Sequence, residues 1–237
     1  MCRGQIMEHI SQNIAEIQQR IANAAKKANR AANEITLVAV SKTIPAEYAA
    51  EAHRCGISNL GENKTAELIS KKALLPSEIK WHMLGHLQTN KVRKIVGECG
   101  LIHSLDSLRL AEQINRVSLE KNVITECLVE INIGEEPQKF GISPKNTENF
   151  IQKVACFSNI LIRGLMCVAP VSHFGESNRN FFAMMRKLFI DIQKNKLDNT
   201  TMDILSMGMS QDFETAIEEG SNCVRIGTAL FGKREYV

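Results

Sequence analysis

Ile35-Thr-Leu-Val-Ala-Val-Ser41 runs straight into Lys42-Thr43-Ile44-Pro45 and an alanine-rich stretch, which reads as a buried strand, a short turn and a helix. The same phrase recurs along the chain. Further candidate strands are Asn59–Glu62, Trp81–Leu87, Leu101–Leu105, Glu126–Ile133, Ile160–Ala169, Ile204–Met207 and Cys223–Ile226, eight with the first. Helical segments begin near Pro45, Lys64, Thr89, Ser107, Ser143, Glu176 and Ser210. Strand then helix, repeated, predicts parallel strands joined by right-handed crossovers. Eight repeats in 237 residues predict closure into one α/β barrel of the (β/α)8, or TIM, type.

Ahead of the first strand, residues 5–31 read as a long helix. Ile6, Ile10, Ile14, Ile17, Ile21 and Ala24/Ala25 recur every three or four positions. Only seven helices follow strands, so this helix is expected to fill the eighth outer position. No linker or Pro/Gly-rich hinge interrupts the pattern, and one domain over 1–237 is expected. An open doubly wound sheet is the alternative. It usually carries a glycine-rich first turn, and Val40-Ser41-Lys42-Thr43 has no glycine.

Composition narrows the function. The 29 basic and 26 acidic side chains leave a formal charge of +3, too small an excess to point to nucleic acid or an anionic membrane as partner. No secretory apolar segment follows Met1, and no run of about 18 apolar residues occurs. A cytoplasmic protein is expected. The cysteines, Cys2, Cys55, Cys99, Cys127, Cys156, Cys167 and Cys223, are odd in number and form no C-x-x-C pair. Several lie in apolar runs, which predicts buried free thiols in a reducing compartment.

In a barrel, chemistry sits where the strands end. The first strand ends on Lys42. An amine just past a buried strand is partly desolvated, which favours the neutral nucleophile that forms imines, although a lysine there can also simply reach out to solvent. After the seventh and eighth strands come Ser206-Met207-Gly208-Met209-Ser210 and Arg225-Ile226-Gly227-Thr228. Glycine turns and hydroxyls in these places suit a phosphate, or plain turn and capping chemistry, with Ser210 placed to cap a helix over Gln211–Glu219. Arg225 lies inside the apolar run Cys-Val-Arg-Ile and must meet a partner at the mouth, either a ligand or a strand-end acid. His82 and His86 would share a strand face, but no neighbouring ligand completes a metal set, and none is expected. Phe181-Phe182, Met185 and Leu188-Phe189 have helical spacing and predict core.

These segments resemble the pyridoxal phosphate homeostasis proteins. The stretches that carry the resemblance are Val40–Thr43, Gly61–Lys64, Trp81–Lys91, His103–Ser107, Asn132–Ile142, Arg163–Met166, Leu205–Asp212 and Val224–Gly232, in order over nearly the whole chain. The resemblance implies a barrel like the N-terminal domain of alanine racemase, with pyridoxal 5′-phosphate (PLP) held on Lys42 as a Schiff base. It further implies Arg225 facing the pyridine nitrogen, Ser210, Gly227 and Thr228 with the backbone near Met207 and Gly208 on the phosphate, and Asn63, His86 and Met166 lining the ring pocket. One departure is Lys64, where the family often carries an aromatic residue. The implied role is PLP and vitamin B6 homeostasis without established turnover, with PLP-dependent apo-enzymes as candidate partners.

An arginine at the ring nitrogen agrees with that role, since it weakens the ring as an electron sink. Two other functions remain open at the level of sequence. A racemase needs a base on each face of its carbanion. Alanine racemase supplies the second as a tyrosine of another subunit, alongside a further β domain. Only Tyr48 and Tyr236 occur here, outside the matching motifs, and the absence of racemase dimer elements predicts a monomer. A phosphate-sugar barrel enzyme would also suit Lys42 with Ser210 and Thr228. Finally, Lys139, in a segment with two glycines and a proline after the fifth strand, is either an exposed loop lysine or an amine that guards or accepts the aldehyde during release.

Overall fold

In the computed structural model, residues 3–170 and 175–232 are described. Eight parallel strands close into a barrel in sequence order: β1 (Thr36–Val40), β2 (Asn59–Glu62), β3 (Lys80–Met83), β4 (Leu101–Leu105), β5 (Thr125–Ile131), β6 (Ile160–Cys167), β7 (Thr200–Ser206) and β8 (Cys223–Ile226). The barrel closes where β8 pairs with β1, Val38 opposite Arg225. The α/β barrel expected from the repeating pattern is therefore the fold.

The outer layer is built from α1 (Arg3–Lys27), α2 (Ala46–Arg54), α3 (Thr65–Lys72), α4 (Val92–Ile95), α5 (Leu108–Glu120), α6 (Thr147–Val154), α7 (Arg179–Gln193), α8 (Phe213–Glu218) and α9 (Thr228–Phe231). On α1, Ile10, Ile14, Ile17, Ile21, Ala24 and Ala25 are buried, and the helix packs against α2, α8 and α9, filling the remaining outer place. Arg20 anchors it through Glu214 of α8 at 2.8 Å. On α7, Phe182, Met185 and Phe189 are core, as their spacing predicts.

Strand alternation divides the apolar side chains into two sets. On β5, Cys127, Val129 and Ile131 pack outward with the helices. Leu128 faces the other way and joins Leu101 and Met166 in a small inner cluster, with Val168 and Ile204 against it. The inner cluster fills only part of the barrel. The rest of its interior is polar, which matters for the site.

Some boundaries differ from the sequence reading. β7 begins at Thr200 rather than Ile204, because its first residues, Thr200, Thr201 and Asp203, are polar and form no apolar run, and Arg163 holds Asp203 at 2.5 Å. β3 ends at Met83 rather than Leu87. Beyond it the chain crosses close over Asn63, and a Cβ on Gly85 would stand 2.4 Å from the Asn63 carbonyl oxygen. α8 is shorter than Gln211–Glu219, and its N-cap is Asp212, not Ser210. Of the cysteines, Cys127, Cys167 and Cys223 are buried free thiols, but Cys55 and Cys99 are half-buried and Cys156 is exposed. Cys2 and Tyr236 lie outside the described residues. No described helix is long and apolar enough to cross a membrane.

Candidate functional site

Lys42 stands two residues past β1 and is half-buried. Its backbone neighbours are both fixed by one buried ionic cluster. Lys71 of α3 donates to the Ser41 carbonyl at 2.5 Å, to Glu62 Oε1 at 2.7 Å and to Glu67 Oε1 at 2.8 Å. Ser41 Oγ donates to the same Glu62 oxygen at 2.6 Å, and the Thr43 N–H donates to Glu67 at 2.6 Å. Thr43 takes φ 61°, an uncommon conformation for a β-branched residue, so the turn carrying Lys42 is held by contacts rather than by local preference. Burial pushes the Glu62 carboxyl up against the pull of Lys71.

Arg225 of β8 is buried. Its Nη1 donates to Ser206 Oγ at 2.6 Å and its Nη2 to the Cys167 carbonyl at 2.7 Å. No carboxylate forms an ion pair with it among the described residues, so the strand-end acid weighed as its partner is replaced by neutral oxygens. The Arg225 charge acts on Glu130, on the inner face of β5. Burial first, then the Asp106 charge, raise its carboxyl to about 7, with Arg225 opposing. Glu130 Oε2 is buried and has no hydrogen-bond partner. Sequence reasoning gave Glu130 no role. The available signal was an acid inside the apolar run Leu128-Val129-Glu130-Ile131, which demands an explanation.

The turns after β7 and β8 are laced together. The Arg225 N–H donates to the Gly208 carbonyl at 3.1 Å, and the Ala229 N–H donates to Ser210 Oγ at 3.2 Å. Ser210 thus serves α9, not α8. Gly208 has φ +93°, and a Cβ there would stand 2.6 Å from that of Ala216, so the turn requires glycine. Gly227 is the N-cap of α9 and offers no side chain to its first N–H groups, and Thr228 opens the helix. The N–H groups of Ser210, Gly227 and Thr228 meet no acceptor among the described residues. Met207, behind this turn, is buried in the outer core.

Across the mouth, His86 Nδ1 lies 2.8 Å from Asp106 Oδ2, and its ring stacks on Phe140 with centroids 3.8 Å apart. His82 and His86 do not share a face. His82 turns into the barrel and meets His103 at 2.9 Å, so, against the sequence reading, a further histidine is adjacent, although no described group of three ligating side chains could hold a metal. Asn63 is half-buried at the end of β2, Met166 belongs to the inner cluster, and Lys64 is the exposed N-cap residue of α3. Phe140 belongs to the loop after β5. Asn132 braces that loop, donating to the Glu136 carbonyl at 2.8 Å and accepting from the Glu136 N–H at 3.1 Å. Lys139 in the same loop is partly buried, 2.6 Å from Glu136 Oε1 and 3.4 Å from the Ala169 carbonyl, two residues past β6.

The chain that carries this rim is similar to known proteins over nearly its whole length. Residues 8–235 match the model of the alanine racemase N-terminal domain. The pyridoxal phosphate homeostasis protein of Aquifex aeolicus is 38% identical over 226 residues, covering 95% of this chain and 98% of that protein. The chain belongs to the pyridoxal phosphate homeostasis protein family. The Escherichia coli (strain K12) member of this family is 36% identical over 235 residues, covering 97% and 99% of the two chains. Among solved structures, PipY of Synechococcus elongatus with PLP bound superposes with a TM-score of 0.82 at 32% identity, over 94% of this chain and all of that one. Alanine racemase of Corynebacterium glutamicum, at 15% identity and a TM-score of 0.73 over 60% of its length, shares the fold alone.

Proposed function

We propose that this family member binds PLP at the barrel mouth through a Schiff base to the Lys42 amine, and holds and hands over the cofactor rather than turning over a substrate. The observation that carries this reading is Arg225, buried without a carboxylate and aimed by two neutral oxygens beside the laced turns of β7 and β8. The donor set fits the cofactor. Ser210, Thr228 and the N–H groups around Gly208 and Gly227 suit its phosphate, and Arg225 its ring nitrogen. Asn63, His86 and Met166 suit the ring faces and edge, with Met207 behind the turn.

PLP supplies an aldehyde that condenses with amines and a ring that can take up electron density. The protein's contribution is to restrain both. A guanidinium, which does not give up its proton, leaves the ring nitrogen without one and limits the ring's pull on electrons. The cluster around Lys71 keeps the turn of Lys42 in place. Against a racemase, Tyr48 lies on α2 and packs on the core, so it offers no second base at the mouth. The buried thiols Cys127, Cys167 and Cys223 suit a reducing compartment, and we assign the protein to the cytoplasm, acting as a monomer.

The test mixes PLP-loaded protein with a PLP-dependent apo-enzyme and a trap for free PLP. A carrier activates the apo-enzyme faster than PLP escapes to the trap. Activation limited by the rate of escape would reduce the role to passive storage, and steady turnover of an added amino acid would make the protein an enzyme.

A further inference from the structure

A single file of hydrogen bonds crosses the barrel interior beneath Arg225. Arg225 Nη1 donates to Ser206 Oγ of β7 at 2.6 Å, and Ser206 Oγ lies 3.2 Å from His103 Nδ1 of β4. His103 Nε2 lies 2.9 Å from His82 Nδ1 of β3, and His82 Nε2 lies 3.1 Å from Asn59 Oδ1, on the first residue of β2. Asn59 in turn donates to Ser58 Oγ at 3.2 Å at the exposed lower end. β4 and β7 are not neighbours in the sheet, so the contact between His103 and Ser206 runs through the interior.

The two ends fix the direction of every link. An amide oxygen only accepts, so His82 Nε2 carries the proton and His82 Nδ1 accepts. His103 Nε2 is then the donor and His103 Nδ1 the acceptor. That nitrogen takes the Ser206 hydroxyl proton and leaves the Ser206 oxygen to receive Arg225. Burial holds the His82 imidazole down at about 4 and His103 well below its ordinary value, so both rings are neutral at neutral pH, as this arrangement requires.

We propose that His103 and His82 are positioning residues for Arg225: through Ser206 they fix the guanidinium in one orientation at the mouth. Nothing in the reading of the site as a PLP pocket uses these histidines. The inference rests on that reading only for its effect on the cofactor. Without the relay, the Ser206 hydroxyl proton would be free to turn toward Arg225 and repel it. A buried cation held by one carbonyl alone would then sample other orientations.

The first measurement is nitrogen-15 NMR of the histidines in protein without added PLP. Both His82 and His103 are expected as neutral rings protonated on Nε2, and a proton on Nδ1 of either would overturn the proposal. The second is hydrogen exchange of the Arg225 Nη protons. His103→Leu should speed it about tenfold or more, the loss of one charge-assisted hydrogen bond. His103→Gln, which can accept at one end and donate at the other, should restore slow exchange. Ser206→Ala should match His103→Leu, and it serves alone if the leucine variant does not fold. Unchanged exchange in Ser206→Ala, or in a folded His103→Leu variant, would overturn the proposal. In PLP-loaded protein, His103→Leu should shift the cofactor's absorbance while His103→Gln matches wild type. Loss of PLP binding in wild type, with the tautomers and exchange as expected, would sink the PLP reading and leave the relay standing.

Discussion

The Lys71 ammonium donates to the carbonyl of Ser41 at 2.5 Å, one residue before Lys42. The same nitrogen bridges Glu62 and Glu67, so a buried cation joins β1, β2 and α3 directly behind the proposed attachment point. Lys71→Met removes the cation and leaves the buried Glu62 carboxyl with the Ser41 hydroxyl but without its counter-charge. Breaking one side of a buried ion pair costs roughly 3–5 kcal/mol. Urea denaturation should show a loss of that order, with less PLP retained on Lys42. A stability within experimental error of wild type would mean that the cluster does not hold the turn.

Ser210→Ala with Thr228→Val should weaken PLP retention. Ser210 Oγ also ties the turn after β7 to the Ala229 N–H, so the double variant loosens the cradle as well as removing its hydroxyls. Each lost hydrogen bond to a charged phosphate is worth roughly 1.5–3 kcal/mol, and PLP dissociation should quicken more than tenfold. Dissociation at the wild-type rate would move the phosphate elsewhere.

Glu130 gives a pH signature. Its carboxyl is raised to about 7 in the fold, chiefly by burial, so the native state binds a proton that the unfolded chain releases above its ordinary value. The sign follows: its contribution is fully present below about 4.5 and is lost as pH rises through about 7. Glu130→Gln should therefore match wild type near pH 4 and be more stable at pH 8, by up to about 3 kcal/mol. Melting curves at the two pH values check this, and a variant that gains nothing at pH 8 would contradict it.

Lys139→Ala separates two roles of the loop after β5. Lys139 is pinned between Glu136 and the end of β6, so it is not a solvent-facing lysine. If its amine guards or accepts the aldehyde during release, occupancy at Lys42 stays near wild type while the transfer rate to an apo-enzyme changes severalfold. Both values unchanged would leave Lys139 with a loop-bracing role alone.

The barrel was legible in the sequence because each strand-turn-helix phrase carries its own hydrophobic period and its own turn. The candidate rim was legible for a related reason: Lys42, Ser210 and Thr228 fall just past apolar runs, and Arg225 lies inside one. What stayed hidden depends on closure. His103 and Ser206 sit more than a hundred residues apart, and only the curvature of the barrel brings them within 3.2 Å. By local spacing Ser210 should cap the helix that follows it. Its actual partner is the Ala229 N–H, in the turn after the next strand, and no local rule predicts that. Glu130 stays hidden because an isolated acid in a strand gives no hint of which charges will face it.

The most direct test of the account is borohydride reduction of the PLP-loaded protein followed by peptide mapping. Reduction should bleach the yellow colour and leave a stable phosphopyridoxyl group on the peptide containing Lys42, absent in Lys42→Ala. A reduced adduct found mainly on Lys64, Lys139 or another lysine in the wild-type protein would contradict the central claim.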